Sequence, residues 1–111
     1  MTDKVSKETE QKISQLQMME QNIQNSLMQK QQLQTQLIEI DSALSELKKV
    51  KKAYKIVGNI MIDSKKEDLD KELEQKKEMI QIRIKNVEKQ EEKIKERAKK
   101  LQEEVLKEVK K

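Results

Sequence analysis

In 111 residues there is no proline and a single glycine, Gly58, which stands near the middle of the chain. More than fifty residues on either side contain nothing to break a helix, because proline and glycine are the residues a helix interior tolerates least. A chain of this kind either stays disordered or folds as long helices. Composition bears on the choice: hydrophobic residues make up 33%, charged residues 41% and aromatics 1%. That is too little apolar surface for a globular core of ordinary size, and it suits helices that bury one narrow seam against each other.

The seam is visible as heptads. From Leu16 onward, position a takes Leu16, Ile23, Lys30, Leu37 and Leu44, and position d takes Met19, Ser26, Leu33, Ile40 and Leu47. All but Lys30 and Ser26 are apolar, over more than four heptads, which is a coiled-coil pattern. The Gln-rich run from Gln11 to Gln36 fills the solvent positions of that helix. The last turns carry Lys48, Lys49, Lys51 and Lys52, cations that complement the C-terminal end of a helix dipole, so the helix is expected to end near Lys52. A targeting or nucleic-acid patch is the functional alternative for these lysines. The second half repeats the pattern, with Leu73, Ile80, Val87, Ile94 and Leu101 at seven-residue spacing and Lys77, Ile84, Glu91, Ala98 and Val105 beside them. Ser64-Lys65-Lys66-Glu67 fits a capping box at its start.

Between the two helical segments the pattern switches to Tyr54-Lys55-Ile56-Val57-Gly58-Asn59-Ile60-Met61-Ile62-Asp63. Two short runs rich in β-branched residues flank Gly58-Asn59, a dipeptide of the kind that closes a two-residue β-hairpin. A turn there sets Val57 against Ile60, Ile56 against Met61 and Lys55 against Ile62. Tyr54, Ile56 and Met61 then share one face, and Val57, Ile60 and Ile62 the other. Both faces are apolar, a two-stranded hairpin is marginal alone in water, and this chain has nothing else from which to build a sheet. The hairpin is expected to find its cover on other chains.

An antiparallel helix pair about a turn at residues 58 and 59 joins positions whose numbers sum to a constant. A sum of 117 pairs Leu16 with Leu101, Ile23 with Ile94, Lys30 with Val87, Leu37 with Ile80 and Leu44 with Leu73. It also pairs Met19 with Ala98, Ser26 with Glu91, Leu33 with Ile84 and Ile40 with Lys77. Two heptad registers, assigned separately, therefore agree across the hairpin. Ser26, Lys30 and Glu91 fall in one polar layer, with Lys30 expected to pair with Glu91; such layers fix register at some cost in stability. The apolar pairing runs out near Leu101, so residues before Ile13 and after Leu101 are expected to form a looser tip with a frayed start. The fold class is all-α: an antiparallel coiled-coil hairpin with a single β-hairpin at the bend, in one domain over residues 1–111. Its helices are expected at about 5–52 and 65–109, and its β-hairpin at 54–63.

Several chemistries have no residues to carry them. There is no His and no Cys, so the usual neutral-pH base, thiolate chemistry and transition-metal ligation are excluded. Acidic residues lie on convex, hydrated helix faces without a pocket to perturb them. One glycine cannot make a glycine-rich phosphate loop. No catalytic residue, cofactor or metal site is expected, and the chain is not read as an enzyme. The net charge of +4 comes from Lys and Glu interspersed along the second helix rather than gathered on one face, so no nucleic-acid partner is expected. No apolar run reaches membrane-spanning length and the start lacks a signal-peptide core, which leads to an expectation of a cytoplasmic protein without a membrane partner.

Helix, β-hairpin, helix, with both termini at the free end, resembles the β-type subunits of the prefoldin family, the archaeal kind in particular. The local match is Tyr54-Lys55-Ile56-Val57-Gly58-Asn59-Ile60-Met61-Ile62, followed by Asp68-Leu69-Asp70-Lys71-Glu72-Leu73. The resemblance covers nearly the whole chain by architecture and residues 53–75 by motif. It implies a heterohexamer of two α-type and four β-type subunits, whose hairpins assemble into an inter-subunit β-barrel. It also implies a chaperone that captures unfolded polypeptides at its coiled-coil tips without ATP and passes them to a group II chaperonin. Tyr54, Ile56, Val57, Gly58, Asn59, Ile60, Met61 and Ile62 would then form the oligomerisation hairpin. The tip residues Val5, Ile13, Leu101, Val105, Leu106 and Val109 would contact clients, the alternative for them being simple extension of the coiled coil. A non-chaperone scaffold or filament-forming coiled coil is the competing reading, and a basic nucleic-acid-binding coiled coil a third.

Overall fold

A computed structural model describes residues 6–109. The elements follow in the order α1 (Lys7–Lys49), β1 (Ala53–Val57), β2 (Ile60–Ser64) and α2 (Lys66–Val109). They form two compact units. One contains Gln31–Lys85, with the hairpin and the adjoining halves of both helices; the other joins α1 up to Lys30 with α2 from Asn86. In each, the helices lie side by side and antiparallel.

In the hairpin unit the seam buries Leu33, Leu44, Leu47 and Ile80, with Ala53 of β1 also buried. Leu37, Ile40, Leu73, Lys77 and Ile84 are half-buried along the same line. In the terminal unit Val87 and Glu91 are buried, and Leu16, Met19, Ile23, Ser26, Ile94, Ala98 and Leu101 are half-buried. Every a and d position of both heptad series is thus withdrawn from water. Burying a Leu, Ile or Val side chain is worth about 1.5–3 kcal/mol, so a dozen partial burials hold together helices whose intrinsic propensity alone would not.

Cross-helix bonds follow the same register. Lys30 Nζ lies 3.7 Å from Glu88, and Lys77 Nζ 3.0 Å from Asp41. The polar layer differs from expectation in its pairing. Glu91 takes its hydrogen bond from Lys95, one helical turn on, at 2.9 Å, while Lys30 reaches Glu88. The i,i+4 partner wins because it is already held beside Glu91 by its own helix, whereas Lys30 must cross the interface. The bond from Lys95 holds the Glu91 carboxyl below its ordinary range, partly opposed by burial, and the charge of Lys30 adds to the effect. The other oxygen of Glu91 is buried without a partner.

α1 starts more firmly than a frayed end. Ser6 Oγ accepts from the amide of Thr9 at 3.1 Å, and the Ser6 carbonyl takes the first helical bond from Glu10 at 3.0 Å, which makes Ser6 the N-cap. At α2 the expected cap is displaced by one residue. Ser64 is held in the ladder opposite Ala53, and it is the carbonyl of Lys65 that receives the first helical bond, from Leu69 at 3.1 Å. The capping-box role assigned to Ser64 is therefore replaced by a strand role. α1 ends at Lys49, so Lys51 and Lys52 lie in the connection to β1 rather than in a last helical turn.

Candidate functional site

Two surfaces stand out. The first is the hairpin. β1 and β2 pair antiparallel with Lys55 opposite Ile62, Ile56 opposite Met61 and Val57 opposite Ile60, and the ladder extends through Tyr54–Asp63 to Ala53–Ser64. Gly58 has φ +63°, and no other residue among those described has positive φ. A left-handed first turn residue followed by an ordinary one is the pattern of a type II′ turn, which matches the right-handed twist of the strands. A Cβ at Gly58 would meet no neighbour, so it is the backbone angle that demands glycine there.

The base of the hairpin is anchored and its outer part is bare. Ala53 is buried, and Lys55 Nζ bonds Glu72 of α2 at 2.6 Å. That bond is the main reason the Glu72 carboxyl sits below its ordinary range, with desolvation working against it. Leu47, Val50, Ala53, Tyr54, Leu69 and Leu73 line an open groove of ≈ 510 Å³ where the hairpin approaches the helices. Beyond it, Tyr54, Ile56, Val57, Ile60, Met61 and Ile62 are all exposed, Ile56 to 68% and Ile60 to 66%. Both faces of the sheet present apolar side chains to solvent, and with only two strands each strand keeps one unpaired edge.

The second surface is the end of the terminal unit. Thr9, a residue the hydropathy pattern passes over, is only 2% exposed. Its hydroxyl donates to Glu108 Oε2 and is bonded to Ser6 Oγ at 2.9 Å. Lys12 Nζ bonds Glu108 Oε1 at 2.5 Å and lies 3.5 Å from Glu104. Thr9 and Glu108 are one heptad beyond Leu16 and Leu101 and sum to 117, so the register expected to stop at Leu101 continues through a polar layer. The bond to Glu108 is the largest cause raising the Lys12 pKa above its ordinary value, opposed by desolvation. The apolar tip residues divide around this clamp. Ile13, Leu101 and Val105 are half-buried, whereas Leu106 is 50% exposed and Val109 59%. Val5 lies outside the described residues. Ser6, Thr9, Lys12 and Glu108 went unread because polar seam residues leave no hydropathy signal; the constant sum was the one clue.

Among the described residues no group of acidic side chains is arranged to hold a metal ion, and no helix is long and apolar enough to cross a membrane. What the two surfaces share is uncovered aliphatic area on a scaffold of paired helices.

Known proteins with this architecture are found by both sequence and structure. Residues 10–111 match a family described as prefoldin subunit. The prefoldin subunit beta of Archaeoglobus fulgidus is 41% identical over 88 residues, covering 77% of this chain and 76% of that protein. That of Methanosarcina acetivorans is 32% identical over 108 residues, covering 95% and 92%. The crystal structure of the prefoldin beta subunit from Thermococcus strain KS-1 superposes with a TM-score of 0.90 at 26% identity, over 99% of both chains. A helix–hairpin–helix chain with this register, matched over nearly its full length at both levels, belongs to the prefoldin family of chaperone subunits, on its β-type side.

Proposed function

We propose that this chain is the β-type subunit of a cytoplasmic heterohexamer containing two α-type and four β-type subunits. In this reading it captures unfolded polypeptide without ATP at its helix ends and passes it to a group II chaperonin. The observation that carries the reading is the hairpin, whose two faces and two strand edges are uncovered in the single chain. Closing several such hairpins into one β-barrel removes every edge and buries both sets of side chains at once. The stable complex then presents the helix ends, and there Leu106 and Val109 offer small apolar contacts one helical turn apart. Patches of this size bind extended apolar segments weakly and with little selectivity, as a transient holdase requires. Relatives described as prefoldin beta subunits support the hetero-oligomeric part of the reading.

The test is aggregation of a chemically denatured client, followed by light scattering, with the chain assembled on an α-type partner. Leu106→Ser with Val109→Ser should remove most of the suppression while the complex keeps its mass. Full suppression by that variant in an intact complex would show that capture occurs elsewhere.

A further inference from the structure

We propose that the junction between the helices and the hairpin is a docking surface for an acidic polypeptide segment, a run of Asp and Glu side chains on a partner protein. The junction is made of two connections, residues 50–52 leading into β1 and residue 65 leading out of β2. The Ala53–Ser64 pair closes the base of the hairpin and brings these connections together. Their proximity is direct: Lys66 Nζ donates to the carbonyl of Lys48 at 3.3 Å.

These connections and the helix turns beside them carry six lysines, Lys48, Lys49, Lys51, Lys52, Lys65 and Lys66. Along the helices, lysines are interleaved with carboxylates and several are bonded to them. Here Lys48, Lys51, Lys52 and Lys65 are exposed and form no ion pair among the described residues. Only Lys49 has a carboxylate partner, Glu46 at 3.7 Å.

Fold stability accounts for part of the cluster and not the rest. Lys48 and Lys49 lie in the last turn of α1, where a cation is favourable. Lys51 and Lys52 are outside any helix. Lys65 and Lys66 occupy the N-cap and first position of α2, the positive end of its dipole, where a cation is unfavourable. Glu67 and Asp68 in the same turn complement the dipole, yet among the described residues neither forms an ion pair with a lysine of the cluster. Lys66 is used by the fold through its bond to Lys48, but Lys65, unpaired where it weakens the helix start, and Lys51 and Lys52, which serve no helix end, are explained by an anion that arrives from outside.

The footprint selects among anions. It is short, and the flanking Asp63, Glu67, Asp68 and Asp70 would repel any polyanion long enough to run past it, so it suits a short run of carboxylates rather than a continuous phosphate backbone. Duplex nucleic acid carries a charge about every 1.7 Å and rewards a long basic stripe; a few adjacent carboxylates fit the cluster better. All six cations are lysines, point charges without the bidentate fork of arginine, so recognition here is by charge density rather than by one carboxylate's geometry.

The proposal does not depend on capture at the helix ends. Its test uses the complex assembled with an α-type partner and a fluorescein-labelled oligoglutamate, with binding read by anisotropy. Lys51→Glu, Lys52→Glu and Lys65→Glu combined should weaken binding by about tenfold or more, and binding should fall steeply between about 50 and 200 mM salt. Lys89→Glu, Lys93→Glu and Lys99→Glu combined make the same change in net charge on α2 and should leave most of the affinity. Equal loss in the two variants would reduce the effect to net charge and overturn the proposal, as would a labelled DNA duplex binding more tightly than the peptide. Lys65→Gln supplies a second readout: it should weaken peptide binding while leaving the melting temperature unchanged or raised. A fall in melting temperature would assign Lys65 to the fold instead.

Discussion

In the hairpin unit Leu33, Leu44, Leu47, Ala53 and Ile80 are the buried side chains, whereas at the chain ends of the terminal unit the most buried side chain is Thr9, held among Ser6 and Glu108. The helices are the same two helices, and the register is the same. What changes is the kind of interaction. Apolar burial is indifferent to pH and strengthened by many salts, while a layer of hydroxyl, ammonium and carboxylate depends on protonation and geometry. One unit holds the bare hairpin on a mostly apolar seam. The other ends in a clamp that keeps the helices in register without spending the apolar residues beside it, so Leu106 and Val109 stay outside the seam.

The largest effect that would break this comparison lies in the hairpin. Ile60→Asp with Met61→Asp places a charge on each face of the sheet and should abolish assembly with the α-type partner, seen by size-exclusion chromatography with light scattering. Helix content by circular dichroism should stay near that of the parent. A complex of unchanged mass would mean that the exposed faces are not the contact.

Next is the seam itself. Leu44→Ala should cost about 2–5 kcal/mol in denaturant unfolding of the complex. Thr9→Val, which removes the clamp's hydroxyl, should cost about 1.5–3 kcal/mol, the range for a bond to a charged group. That loss should be confined to faster hydrogen exchange near the chain ends. If Thr9→Val proved as costly as Leu44→Ala, the polar clamp would be a cornerstone of the fold rather than an end closure.

Smaller still is the contrast between two serines. Ser6→Ala should cost about 1 kcal/mol because it deletes a cap. Ser64→Ala should stay within about 0.5 kcal/mol, because Ser64 is half-buried and its hydroxyl caps no helix. Thermal melts of the two variants side by side decide the matter.

Protonation separates the limbs of the pH profile. Glu72 and Glu91 are held below the ordinary carboxylate value of 4.5 by their bonds from Lys55 and Lys95. A depressed acid stabilises the fold above its unfolded value, and that contribution disappears as pH falls through the depressed one. Both units should therefore loosen below about pH 4.5. Lys12 titrates above 10.5 because of Glu108, so its contribution is complete below 10.5 and is lost as pH rises through the raised value. Lys12→Met should flatten the alkaline limb of exchange at the chain ends, and an unchanged limb would remove Lys12 from the clamp.

Much of the fold is legible in the sequence. Gly58-Asn59 and the flanking β-branched runs determine the hairpin register, and two heptad series with a constant sum determine the helix pairing. The misses share a cause: polar contacts are chosen by proximity that hydropathy does not record. Glu91 prefers Lys95 over Lys30 because its own helix already supplies Lys95. Ser64 is drawn into a ladder one pair longer than the turn alone suggests, leaving the cap to Lys65. The extent of α1 was overestimated because a run of lysines contains no breaker, and the chain ends were underestimated because Thr9 and Glu108 look like surface residues in a hydropathy pattern. At the candidate surfaces, the hairpin residues could be named outright, whereas the separation of Leu106 and Val109 from Ile13, Leu101 and Val105 needed the clamp to be seen.

The bare hairpin has a consequence for supply. A copy synthesised without its partners carries two oily faces and two open strand edges, the same features that make a nascent polypeptide hazardous in a crowded cell. In the assembly proposed above, a surplus of this chain over its partners becomes a burden of the kind the finished complex relieves, and matched production of the subunits follows from six side chains around one turn.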